Sequence, residues 1–329
     1  MSGVVLKLRP GAEPISWAEF CDTHPPYSIA LDGYVKGASR FDERGPRLNL
    51  DHHADVDRLA TRATCAQVWL SIKQGLFDAF ADRTGRRATV FVNDCDEDVC
   101  LSWFLLKHPN VSSHPRLPRL VQAVDELDTT AGASLQPLDG ALLRELAWIF
   151  EPYRQARAQG ELDQADAESQ RLVIEAVGQR ISDYLAGAGQ LAALDMRYCV
   201  LGGGPRWTMV REIGPHARAK MIADGIRAFV SVRPMASGSW SYTIGRVSPF
   251  IAFDVPAILQ ALNDAEESWR GTWGGGDLIG GSPRLHGSAW PPQMVARIVN
   301  SIVMQRSLLP HRSEEAFAEQ SPTSKEDPK

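Results

Sequence analysis

Apolar residues in the first third of the chain come in short runs, and each run ends in acid. Ser28 to Leu31 leads into Asp32, Leu48 to Leu50 into Asp51, and Ala88 to Val92 into Asn93 and Asp94. Runs of this length bounded by polar residues predict strands. Between and after them, Arg58 to Gly75 and Val99 to Lys107 carry the spacing of helices. Strands alternating with helices predict an α/β layer with a largely parallel sheet, and such sheets place their sites where strands end. The acids stand at those ends.

From Pro137 to about Leu194 the pattern is helical only, with Leu172, Val173, Ala176, Val177, Ile181, Tyr184 and Leu185 marking one buried face. This predicts a helical connector over 137–194. After it, Met196 to Leu201, Arg206 to Glu212, Ile226 to Val232 and Ser241 to Val247 read as strands, with helices at Val255 to Asn263 and Pro292 to Met304. The expected organisation is a metal-binding α/β domain over 1–136, the connector, and a smaller C-terminal α/β domain over 195–305. The residues 306–329 are rich in Pro, Ser, Glu and Lys and are expected to form a disordered tail.

The chain has 329 residues, 44% of them hydrophobic, enough for more than one packed core. Its formal charge of −5 argues against coating nucleic acid by bulk charge, so a polyanion must be met locally. No apolar run reaches the length of a membrane span and the start lacks a signal-peptide core, so the expectation is a cytoplasmic protein with no membrane partner. Five cysteines, odd in number and without a CxxC pair, disfavour a disulfide framework and a thiolate zinc site.

Three polar segments carry candidate chemistry. Asp51-His52-His53 is either a polar turn or an imidazole ligand oriented by a carboxylate. Asp94, Asp96, Glu97 and Asp98 place four carboxylates in five residues between two apolar stretches. Cations would neutralise such a cluster; the plain alternative is an exposed acidic loop. Alternation would put Asp94, Asp96 and Asp98 on one side if the segment stays extended. Asp125, Glu126 and Asp128 read either as the solvated side of a helix end or as the source of one more ligand.

Together these residues resemble the DHH phosphoesterase superfamily. Asp94-x-Asp96-x-Asp98-x-x-x-Ser102 is similar to its first motif in the form typical of RecJ-type nucleases, and Asp51-His52-His53 to the motif that names it. Asp32 stands where the lone second-motif aspartate is expected. The helix with Ala60 to Val68 resembles the Ser/Thr-rich helix of the nanoRNase branch, and Leu127 to Gly132 the fourth motif, with Asp125 competing against Asp128. The order differs from the usual one: second, third, first, fourth. Strand reordering in a parallel sheet can preserve such a site, because the ligands project from one sheet edge.

In the C-terminal half, Thr272 to Asp277 followed by Gly280 to Gly287 resembles the GGGH signature of the DHH-associated domain, with Gly274, Gly275 and Gly276 able to approach an anion. Asp277 replaces the histidine, leaving Arg284 or His286 as the donor. Gly202 to Gly204 reads as a turn.

The resemblance implies a metal-dependent phosphohydrolase of phosphodiesterase or exonuclease type, using two Mn²⁺ ions or Mg²⁺. Asp94 and Asp96 would hold one ion and Asp98 and His52 the other; Asp32 would bridge them, and Asp51 and Asp128 are further candidate ligands. His53 would contact the scissile phosphate, aided by Arg58 or Arg62. The implied substrate is a short oligonucleotide or nucleotide. A small-molecule phosphatase, a cyclic dinucleotide phosphodiesterase and a catalytically degenerate metal-binding regulator are the alternatives. The sequence leaves a homodimer open.

Overall fold

The computed structural model describes residues 3–57, 60–130, 132, 140–162, 166–235, 237–266, 271–283 and 286–308. The chain opens with β1 (Gly3–Leu8), α1 (Trp17–Thr23), β2 (Ser28–Leu31), β3 (Arg40–Asp42) and β4 (Arg47–Leu50). It continues through α2 (Thr64–Lys73), α3 (Leu76–Ala79), β5 (Ala81–Asp82), β6 (Gly85–Val92), α4 (Glu97–Lys107) and α5 (Leu117–Thr129). These strands form one sheet in the order β1-β6-β2-β4-β3, with β5 paired to β6. The pairs β1/β6, β6/β2 and β2/β4 are parallel, whereas β3 and β5 are antiparallel additions.

All four residues of β2 are buried. A central parallel strand is covered on both faces, which explains why it reads as an unbroken apolar run. Helix α4 follows the same logic: every residue from Asp98 to Leu106 is buried, so it lies inside the layer and packs against α2, α5 and β1. A helix that is apolar all round has no other stable place.

Next come α6 (Ala141–Ile149), α7 (Glu151–Ala158) and α8 (Ala167–Leu185), where helices were expected. The buried face of α8 includes Ile174, Val177, Ile181, Tyr184 and Leu185, whereas Leu172 is 59% exposed. These helices share one continuous core with the first sheet.

The remainder contains β7 (Tyr198–Gly204), β8 (Trp207–Glu212), α9 (Ala217–Ala223), β9 (Ala228–Pro234), β10 (Trp240–Arg246), α10 (Val255–Ala265), β11 (Gly274–Gly275), β12 (Ile279–Gly281) and α11 (Pro292–Leu308). Its sheet has the order β11-β12-β10-β9-β8-β7, antiparallel except for β8/β9. Ile258 and Leu262 of α10 and Val295, Val299 and Val303 of α11 join Trp207, Val230, Tyr242 and Ile244 in a separate core.

Several sequence expectations need correction. Gly202 to Gly204 is the end of β7 rather than a turn; the chain reverses at Pro205 and Arg206. A Cβ on Gly203 would lie 2.5 Å from the Trp207 carbonyl oxygen, so this glycine serves close strand packing. Helix α11 runs to Leu308, into the stretch expected to be a tail, and the rest of that tail lies outside the described residues. No helix among the described residues is long and apolar enough to cross a membrane.

Candidate metal centre

Three parallel strands deliver the candidate ligands to one sheet edge. Leu31 pairs with Leu50, and Ala30 with Phe91, so Asp32, Asp51 and Asn93 emerge side by side as β2, β4 and β6 end. The Asp32 N–H still donates to the Leu50 carbonyl at 2.9 Å. Its φ of 52° then turns the chain out of the sheet. A left-handed aspartate is costly without a reason, and such backbone is concentrated at functional positions.

The Asp51 carboxylate folds back on its own turn, where Oδ1 accepts the N–H groups of His52 at 2.8 Å and His53 at 3.1 Å. This lock fixes both imidazoles, while Asp51 Oδ2 is buried without a hydrogen-bond partner. His52 is completely buried. Its Nε2 stands 2.6 Å from Asp128 Oδ2, 3.4 Å from Asp32 Oδ1 and 3.7 Å from Asp98 Oδ2. Yet neither ring nitrogen of His52, nor Asp128 Oδ2, has hydrogen-bond geometry to any partner. The 40% exposed ring of His53 places Nε2 3.0 Å from Asp32 Oδ1.

Helix α2 explains how Asp98 reaches this point. Its N-cap is Ala63, which has no side-chain oxygen, so its first N–H groups are served from other helices. Asp98 accepts from Thr64 N at 2.7 Å and Cys65 N at 2.5 Å, and Asp125 accepts from Ala63 N at 2.6 Å. Asp125 also pairs with Arg62 at 3.3 Å. Asp125 and Arg62 are thus engaged with each other and with the start of α2, whereas Asp128 is the acid from α5 that meets His52. The helix expected from Arg58 begins at Thr64; Arg58 itself lies outside the described residues.

The acidic run does not stay extended, so the condition for Asp94, Asp96 and Asp98 to share one side is not met. Asp96 N-caps α4, its Oδ1 accepting the Val99 N–H at 2.9 Å, so Asp98 belongs to the first helical turn. Capping overrides alternation here because an aspartate three residues ahead of an apolar run starts a helix. Asp94 Oδ1 accepts the Cys95 N–H at 2.7 Å. Two triads with ligand atoms inside 4.8 Å emerge among the described residues, Asp32-His52-His53 and His52-Asp98-Asp128. Asp94 and Asp96 belong to neither. Thr64, whose Oγ1 donates to Asp32 Oδ1 at 2.9 Å, was missed as a site residue; its place in the Ser/Thr-rich helix was the available signal.

The electrostatics favour a cation. Burial pushes Asp96 well above the usual carboxylate range, and the charges of Asp32, Asp94, Asp128 and Asp98 add to the shift. Burial, Asp32 and Asp128 push Asp98 up to about 7. Burial also raises Asp32, but His53 and His52 outweigh it and pull that carboxyl below its ordinary value. For His52, burial is outweighed by Asp128 and Asp32, which push it up to about 11. No Lys or Arg among the described residues forms an ion pair with Asp32, Asp98 or Asp128; their ion-pair partners are histidines. Buried carboxylates converging on one imidazole fit a hard divalent ion.

No known protein family and no curated protein matches this chain.

The C-terminal glycines are engaged with one another. Gly274 pairs with Gly281 and Gly275 with Gly280, and Gly276 N donates to the Ile279 carbonyl at 2.8 Å. The expected open cradle is therefore a hairpin. The Asp277 carbonyl accepts from Arg246 Nε at 2.9 Å, His286 is exposed, and Arg284 lies outside the described residues. A cleft of about 490 Å³ lined by Gly3, Gly85, Arg86, Lys107 and His108 opens where β1 and β6 begin, at the edge opposite the acids.

Proposed function

We propose that this protein is a two-metal phosphoesterase that hydrolyses short oligonucleotides or nucleotides. One observation carries the reading: a fully buried histidine faces three carboxylates, Asp128 at 2.6 Å, Asp32 at 3.4 Å and Asp98 at 3.7 Å, at the carboxyl end of a parallel sheet. One imidazolium can balance only one of three converging carboxylates, and buried charge left uncompensated is expensive, so the site has room for a cation. Asp32, His52, Asp98 and Asp128 would hold the ions, with Asp96 and Asp94 at the margin.

Divalent ions in such a site supply an activated water and stabilise charge on the phosphoryl oxygens. The chain's own residues do the rest. Asp51 holds the two imidazoles in place through their backbone N–H groups. Thr64 and His53 both engage Asp32 Oδ1, which orients that carboxylate. His53 is the exposed member and can give a hydrogen bond to a bound phosphate. The acidic surroundings suit a substrate with few phosphates better than a long duplex.

A panel run with Mn²⁺ tests this: RNA and DNA dinucleotides to longer oligomers, cyclic dinucleotides, a 3′,5′-bisphosphonucleotide and pyrophosphate. The expected result is highest kcat/KM on oligomers of about two to five nucleotides, where only the first phosphates reach the charges of the site. Preference for pyrophosphate would favour a small-molecule phosphatase. Inactivity with metal demonstrably bound would favour a regulatory metal-binding protein.

A further inference from the structure

Helix α7 carries two arginines one turn apart. Arg154 is mostly buried and fully engaged: Nε and Nη2 bind the two Glu97 oxygens at 2.7 and 3.2 Å, and Nη1 stands 2.6 Å from His216 Nε2. Burial, reinforced by the Arg154 charge, pushes His216 down to about 4, so at neutral pH its neutral ring accepts a hydrogen bond from Arg154 Nη1. Glu97 lies between Asp96 and Asp98 in sequence and opens α4. The fork of Arg154 thereby fixes α7 against the helix start that carries the acidic cluster, and ties both to the loop ahead of α9.

Arg157 is exposed. Its Nη1 donates to the hydroxyl of the buried Tyr153 at 3.1 Å, and it forms no ion pair among the described residues. Tyr153 raises its pKa most, with Asp94 and Asp96 adding to the effect against burial. A guanidinium has five N–H donors in a fixed fork that matches a phosphate, and one hydrogen bond to Tyr153 leaves most of them open. Arg62, one of the two arginines the sequence offers, is instead spent on Asp125. An acidic site repels a phosphate ester, so a cation that no carboxylate has neutralised is needed at its rim.

We propose that Arg157 binds the non-bridging oxygens of the substrate phosphate, and that Arg154 is the positioning residue that holds α7 in place for it. This rests on the phosphoesterase reading of the site.

The test is calorimetry of the Mn²⁺-loaded full chain with inorganic phosphate, beside steady-state kinetics on the best substrate of the panel. Arg157→Ala should weaken phosphate binding at least tenfold and lower kcat/KM at least as much, with Mn²⁺ affinity unchanged. Arg157→Lys should recover part of the loss, since it keeps the charge but not the fork. Arg154→Ala should weaken phosphate binding by a smaller factor. Unchanged phosphate binding in Arg157→Ala, loss of Mn²⁺ together with phosphate, or a wild type that binds no phosphate would each overturn the proposal. If phosphate binding depends on Arg157 but no ester is hydrolysed, the catalytic reading fails and this assignment stands.

Discussion

Asp98 Oδ2 accepts the Thr64 backbone N–H at 2.7 Å and stands 3.7 Å from His52 Nε2, so one oxygen both caps a helix and faces the central imidazole. Asp98→Ala would orphan two buried N–H groups, those of Thr64 and Cys65, and should cost about 2–3 kcal/mol of stability even in EDTA. Chemical denaturation measures it. Asp98→Asn keeps an acceptor oxygen and should lose less.

Asp96 should behave in the opposite way. Its charge is crowded by four other carboxylates, and Asn preserves the cap on α4. Asp96→Asn should therefore raise the Tm measured in EDTA while shrinking the rise produced by Mn²⁺. A lower Tm in EDTA would mean that the repulsion inferred here is already relieved.

Asp125 and Asp128 lie one turn apart on α5 but face different partners. Asp125→Ala removes the acceptor for Ala63 N and should cost about 1 kcal/mol, with Mn²⁺ affinity changed less than twofold. Asp128→Ala should weaken Mn²⁺ at least tenfold. Isothermal titration of the two variants separates the roles.

The sequence made the three central strands legible because each is an apolar run between polar flanks, and it made their acids legible because each run stops at one. Much of the edge was not legible. β1 reads as a charged start, with Lys7 inside it, and β3 and β5 have too few residues to set a pattern. The path of Asp98 was hidden because the capping of α2 comes from residues more than thirty positions away. Local periodicity holds no record of such a bond. Gly275 makes the same point: it reads as an anion cradle, yet a Cβ there would lie 2.3 Å from Gly280 Cα at a φ of 150°.

Substitution at the two neighbouring glycines should therefore affect folding differently. Gly275→Ala should lower the Tm by breaking the β11/β12 hairpin, at a cost of about 1–3 kcal/mol. Gly274→Ala meets nothing within 4 Å and should be close to neutral. Thermal melts of the two variants decide it.

The metal-free protein should lose stability as pH rises. The Asp98 carboxyl, at about 7 in the fold, keeps its proton over a range where the unfolded chain, with an ordinary value of 3.8, has released it. His52, at about 11 against an ordinary 6.5, does the same above neutrality. The fold thus binds more protons than the unfolded chain from about pH 4 upward, and stability falls through that window. Melts in EDTA should give a higher Tm near about pH 5 than near about pH 8, and Mn²⁺ should reverse the trend because its ligands must be deprotonated.

The central claim is that the cluster around His52 is a divalent metal centre. Titration of the metal-free chain with Mn²⁺, followed by electron paramagnetic resonance of the free ion, tests it most directly. The account predicts two bound ions per chain and a higher Tm than in EDTA, both lost in His52→Ala. A wild type that binds no Mn²⁺ at millimolar concentration, or a His52→Ala variant that binds it as tightly as the wild type, would contradict it.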